Sequence, residues 1–150
     1  MGQHYFADEA HIRALVGQMR SARLSLPPGL DTDDIPLLCR IYNGIGPEAW
    51  SAPLRRLCTL MLELFEPEAL IHDWEYVYQP KDRKHFTRAN IRFAWNAVLY
   101  AVRTADVVQK ILTQAGAGIV LALICQLWGW EAFKISVLPP EQEQDERNTL

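Results

Sequence analysis

The chain has 150 residues, of which 49% are apolar, and its formal net charge is −3. This length is typical of one domain, the apolar content suffices for a hydrophobic core, and the charge excludes the basic footprint of a nucleic-acid-binding protein. Three cysteines without a CxxC pair argue against a disulfide framework and for a reducing, cytoplasmic location. The N-terminus carries charges throughout and no apolar run, so we predict no signal peptide.

Apolar residues at helical spacing dominate the first 41 residues. Residues 8–23 begin with two acidic side chains, which favour a helix N-terminus. A linker rich in proline and glycine follows, and a short helix over about 34–41 is expected to begin at Asp33 or Asp34. The predicted inward face of the first helix consists of Ile12, Leu15, Val16 and Met19.

The rest of the chain has the same helical spacing, and no segment alternates with period two for long enough to form a confident strand. The predicted helices span 52–65, 67–78, 86–104 and 106–135. Residues 139–150 are polar and are predicted to be a disordered tail. The sequence therefore predicts a mostly α fold, with about five to six helices in a single domain over 1–138.

One stretch allows three interpretations. From Ile111 to Trp130 the chain has no charge, which meets the minimum length of a membrane span. Scattered polar residues and the mean hydropathy of −0.08 favour a buried core helix instead, with Gly116 and Gly118 at its start or at a kink. The third interpretation is an interfacial helix, because Trp128 and Trp130 suit a water–lipid boundary.

The stretch "LIHDWEYVY" places chemically active side chains on one predicted helix. His72 and Tyr76 are four residues apart and share a face, and Asp73 lies next to His72. An imidazole can act as a general base, a carboxylate can bind a cation and a phenol can donate a hydrogen bond. A His–Asp pair alone is more typical of a capped or solvated helix face.

The glycines of "YNGIG" supply the context for this helix. Calcium takes six to eight oxygen ligands, often backbone carbonyls, and a loop such as Tyr42–Gly46 can turn several carbonyls toward one point. Together with the carboxylate of Asp73, such a loop could hold calcium and leave a position for a substrate carbonyl.

The order of these segments resembles the calcium loop and the H-D-x-x-Y helix of the phospholipase A₂ superfamily. It is most similar to small phage and prophage proteins of that superfamily type, which carry an NGxGP loop, an IHD helix and a third, A-D-x-x-F-x-x-N helix. The matching segments here are Asn43–Pro47, Ile71–Tyr76 and Ala89–Asn96, and the resemblance covers about residues 40–135.

The resemblance implies a role for each matching residue. His72 would be the general base that acts on water, Asp73 would be the side-chain ligand of calcium, and Tyr76 would brace an acidic residue that orients the histidine. The Gly44 N–H would face the oxyanion. The implied carbonyl ligands of calcium are those of Tyr42, Gly44 and Gly46.

The position that matches the orienting acid is Asn90. The predicted helix over 86–104 has an apolar stripe of Phe86, Phe93, Ala97 and Ala101, and Asn90 lies on it between the two phenylalanines, so it can point at the helix of His72. Its amide oxygen can accept the imidazole N–H, but it cannot stabilise an imidazolium by charge, and the analogous Asp→Asn change in serine proteases costs about 10⁴ in rate. Two hypotheses therefore carry similar weight: a calcium-dependent, phospholipase A₂-like lipid ester hydrolase, and a catalytically weak relative that serves as a phage binding or structural protein. A small protein associated with membranes through 111–130 is the third. The expected partner is a phospholipid or a membrane surface.

Overall fold

The computed structural model describes residues 8–42 and 64–136, and within these ranges it contains six helices and no strand. The helices are α1 (Glu9–Ser21), α2 (Ile35–Ile41), α3 (Glu66–Tyr78), α4 (Arg83–Thr104), α5 (Val108–Trp128) and α6 (Trp130–Ile135). The prediction of a mostly α fold is confirmed. The helix predicted over 52–65, apart from its last two residues, and the tail predicted over 139–150 lie outside the described residues.

The two N-terminal helices begin where their caps predict. The side chain of Asp8 accepts from the Ala10 N–H, and that of Asp34 accepts from the Leu37 N–H at 3.1 Å. All four residues of the predicted inward face of α1 are buried, and they join α2 and the first half of α3 in one apolar cluster. Asp34, rather than Asp33, is therefore the start signal of α2.

Helices α3 and α4 form an antiparallel pair joined by residues 79–82. Pro67 lies in the first turn of α3, where its missing N–H costs nothing. Helix α4 starts at Arg83, earlier than the predicted residue 86, because Asp82 accepts from the His85 N–H at 2.8 Å and caps the helix. The predicted stripe on α4 is buried: Phe86, Phe93, Ala97 and Ala101.

Helix α5 returns antiparallel to α4 at close range. A Cβ added to Gly118 would lie 2.2 Å from the Cβ of Ala97, so the two backbones approach more closely than a larger residue at 118 allows. The side chain of Phe65 fills the space beside this contact. Small residues therefore set the spacing of the α4–α5 hairpin.

The expectation of a buried core helix over 111–130 is wrong. Helix α5 is continuous through Gly116 and Gly118, and only Gly118, Leu121 and Ala122 are buried. The helix has one packed side, against α4 and Phe65, and its other side is exposed. The predicted region 106–135 is also divided, because α5 ends at Trp128 and α6 starts at Trp130.

Candidate functional site

His72 lies between α3 and α4, in an aromatic surrounding. Its ring centroid is 4.1 Å from that of Tyr76, one turn further along α3, and 5.4 Å from that of Phe93, which meets it edge-on. His72 and Tyr76 are both buried. The predicted shared face of the two residues is therefore the inner face of α3.

Asn90 of α4 connects the imidazole to the phenol. Its Oδ1 lies 2.9 Å from His72 Nε2 and accepts the Tyr76 hydroxyl at 3.3 Å. With the Asn90 oxygen facing the ring, this contact pairs with a hydrogen on His72 Nε2, and the neutral ring then has its lone pair on Nδ1. The structure thus brings together the three side chains expected to do the chemistry.

A further amide holds Asn90 in this orientation. The Nδ2 of Asn90 donates to Gln126 Oε1 on α5 at 2.8 Å, and Gln126 Nε2 lies 3.2 Å from the hydroxyl oxygen of Thr87. With the amides in this orientation, donors and acceptors alternate without a break from His72 and Tyr76 through Asn90 and Gln126 to Thr87. A polar chain therefore runs from α3 through α4 to α5 inside an apolar interior.

Burial sets the protonation state of this network. It lowers the pKa of His72 to about 4, although the hydrogen bond to Asn90 opposes this shift, and the imidazole is neutral at pH 7. Burial also raises the pKa of Tyr76, so the phenol stays protonated and continues to donate. The site consequently holds a neutral imidazole beside a protonated phenol.

Asp73 is half-buried, and burial raises the pKa of its carboxyl to about 7. No cation and no hydrogen-bond donor lies within bonding distance of this carboxyl among the described side chains. Tyr42 follows α2, and its hydroxyl donates to Glu66 at 3.3 Å. Burial raises the pKa of Tyr42, and the negative charges of Glu66 and Asp73 add to this shift.

The described residues include two of the expected calcium ligands, Tyr42 and Asp73. Within 8–42 and 64–136, no three His, Cys, Asp or Glu side chains gather as a metal cluster. A carboxylate that burial disfavours and that has no described cationic partner is nevertheless the group that a divalent ion stabilises. Asp73 therefore fits the role of the side-chain ligand, while Gly44 and Gly46 lie outside the described residues.

Two residues of the site, Gln126 and Gly129, were not predicted from the sequence. Gln126 is one of few polar residues in the uncharged run, and that isolation was the available signal for a buried hydrogen-bonding role. Gly129 borders the network, because a Cβ there would lie 2.7 Å from the Tyr76 hydroxyl oxygen. Neither position belongs to the motifs that carry the resemblance.

Comparison of the chain with protein-family models, with curated proteins and with solved structures finds no match in any of the three. The functional interpretation therefore depends on the residues and their geometry.

Proposed function

We propose that the chain is a calcium-dependent lipid ester hydrolase of the phospholipase A₂ type. The observation that supports this proposal most is the contact of His72 Nε2 with Asn90 Oδ1, because it leaves Nδ1 as the basic nitrogen of a neutral imidazole. A solvated histidine on a helix face would need no such partner.

In the proposed reaction His72 accepts a proton from water at Nδ1 while the water oxygen attacks the ester carbonyl carbon. Asn90 holds the ring through its amide oxygen, and Tyr76 and Gln126 hold Asn90. The proton then passes to the leaving alkoxide. Calcium held by Asp73 and by the carbonyls of Tyr42, Gly44 and Gly46 would supply positive charge for polarising the substrate carbonyl.

One observation favours a second candidate, a catalytically weak phage-associated protein that binds lipid or has a structural role. Asn90 provides orientation without negative charge, so the imidazolium formed during catalysis has no anionic partner in the hydrogen-bonded network. The same scaffold would then be retained for binding.

The test is fatty-acid release from phospholipid vesicles by the full chain, with calcium or with a chelator. We expect calcium-dependent hydrolysis that falls by about 10²–10⁴ in His72→Ala, the usual contribution of a general base. His85→Ala is the matched control, because His85 pairs with Asp82 outside the network and its loss should leave the rate unchanged.

Calcium should also raise the unfolding temperature of the wild type, and Asp73→Asn should abolish that shift. A shift without hydrolysis would favour the binding protein. No hydrolysis and no shift at millimolar calcium would contradict the hydrolase.

A further inference from the structure

The outer side of α4 is basic at its N-terminal end and apolar beyond it. Lys84 and Arg88 are exposed, and the same stripe continues with Ile91, Trp95 and Val102, which are 64%, 56% and 56% exposed. Positions 84, 88, 91, 95 and 102 repeat at helical spacing on the side opposite the buried Phe93. An ordinary solvated helix face is polar, so this stripe needs an explanation.

The outer side of α5 is apolar along most of its length. Its exposed large side chains include Leu112, Ile119, Val120, Leu123 and Leu127. Between Ile111 and Trp130 there is no charged residue to interrupt them. Of the described helices, α5 alone has the length and composition to cross a membrane, yet its packed side belongs to the fold through Gly118, Leu121 and Ala122.

The two stripes adjoin along the hairpin. Gln126 of α5 reaches the hydroxyl of Thr87, which lies at the border between the buried side of α4 and its outer stripe. Leu112, Ile119 and Leu123 share the flank of Gln126, at spacings of three, four and seven residues. The outer stripes of both helices therefore form one apolar surface, which we call the hairpin face.

Cations gather at the end of the hairpin face where α4 begins and α5 ends. Arg83, Lys84 and Arg88 are exposed there. The Arg83 guanidinium lies 4.0 Å from the ring centroid of Trp130. Exposed Trp128 adds an aromatic ring of the kind that lies at the water–lipid boundary.

We propose that the hairpin face docks onto a phospholipid surface with anionic headgroups. Apolar side chains would enter the acyl boundary, and the basic end would meet headgroup phosphates. A protein partner or a second copy fits less well, because a protein interface has an apolar centre with a polar rim around it, whereas here the cations lie at one end. This inference extends beyond the proposed hydrolase, since docking needs no catalysis.

The experiment measures partitioning of the folded full chain onto preformed phosphatidylcholine vesicles, with and without phosphatidylglycerol. A chelator is present throughout, so that calcium-dependent hydrolysis does not enter the measurement. We expect binding that phosphatidylglycerol strengthens and high salt weakens. Lys84→Gln/Arg88→Gln should reduce partitioning onto the anionic vesicles by roughly fivefold per charge, with little change on phosphatidylcholine alone.

The apolar part is tested by Leu112→Gln/Leu123→Gln, which should weaken partitioning on the order of tenfold to a hundredfold. Leu26→Gln is the control, because it makes the same substitution at an exposed leucine of the linker before α2. Both hairpin positions are exposed, so circular dichroism should show an unchanged fold. His72→Ala should bind like the wild type, which separates docking from the proposed catalysis.

Two outcomes would overturn the proposal. One is that Leu112→Gln/Leu123→Gln partitions onto the vesicles as strongly as the wild type. The other is a wild type that does not bind vesicles and sediments as a dimer, with the leucine variant sedimenting as a monomer, since the face would then be covered by a second copy.

Discussion

The α4–α5 hairpin holds polar side chains within an otherwise apolar inside and carries large apolar side chains on its outside. Inside, Asn90 and Gln126 form a hydrogen-bonded chain that ends on a buried imidazole. Outside, tryptophan, leucine and isoleucine side chains face away from the fold. Amphipathic helices normally place these residue types the other way round.

The buried amides and the exposed apolar side chains of the hairpin differ in their free-energy cost. A buried amide is tolerated when its donors and acceptors are matched, as those of Asn90 and Gln126 are. The buried Oε1 of Gln114, on the same hairpin, has no hydrogen-bond partner among the described residues. An exposed apolar face has no such compensation among residues 8–42 and 64–136, and such a face usually marks a binding surface. The hydrogen bonds inside the hairpin thus orient His72, and the apolar side chains outside it form the surface that we propose for docking.

Glu68 differs from the two amides, because its carboxyl is buried and no hydrogen bond from a described residue compensates for its burial. Neither carboxyl oxygen has a hydrogen-bond partner among the described residues, and burial raises the pKa of Glu68 to about 8. The folded state holds this proton more tightly than the unfolded state, whose pKa is near 4.5. The stabilisation of the folded state by this proton is fully present below pH 4.5 and is lost as the pH rises toward 8. Proton linkage gives a loss of several kcal/mol in the free energy of unfolding, as an order of magnitude.

Denaturant unfolding of the wild type and Glu68→Gln from pH 4 to 9 measures this effect. As the pH rises, the free energy of unfolding of the wild type should decrease relative to that of Glu68→Gln. A difference that stays constant across this range would show that Glu68 has a partner when ionised.

Asn90→Ala should reduce the free energy of unfolding by about 3 kcal/mol, since the buried donors of His72 and Tyr76 and the acceptor of Gln126 all lose their partner. Tyr76→Phe is the matched comparison and should cost about 1 kcal/mol, because His72 keeps its bond to Asn90. Chemical denaturation measures both. Equal losses would mean that the network does not converge on Asn90.

Gly118→Ala should cost about 1–3 kcal/mol, because its Cβ would overlap that of Ala97 and the two helices would have to separate. Gly116→Ala, on the same helix with nothing within 4 Å of an added Cβ, should instead stabilise by about 0.5–1 kcal/mol. Thermal unfolding of the two variants gives the contrast. Stabilisation by both would contradict the close helix approach.

The sequence predicted the helices well where local signals were strong. Asp8, Asp34 and Pro67 all mark helix starts, and the apolar spacing of α1 and α4 identified their buried faces. It also indicated that Asn90 points at the helix that carries His72, since Asn90 lies between Phe86 and Phe93 on a buried stripe.

Tertiary information was missing elsewhere. A run of apolar residues has no internal sign of which side is covered, so the exposed side of α5 was not predictable from composition. Gln126 joins the site only because α5 returns antiparallel to α4, and its spacing of 36 residues from Asn90 gives no local signal.

Asn90→Asp tests the central claim, that Asn90 positions His72 as a base, most directly. The new carboxylate would keep both accepted hydrogen bonds, Gln126 could rotate its amide to donate to it, and the imidazolium would gain an anionic partner. The measurement is calcium-dependent fatty-acid release by the wild type, by Asn90→Asp and by Asn90→Asp/His72→Ala. We predict a rate increase of at least about tenfold in the single variant, below the roughly 10⁴-fold effect of the analogous Asp→Asn change in serine proteases, and background hydrolysis in the double variant. A folded Asn90→Asp protein that is no faster than the wild type, or a double variant that keeps the gain, would contradict the account.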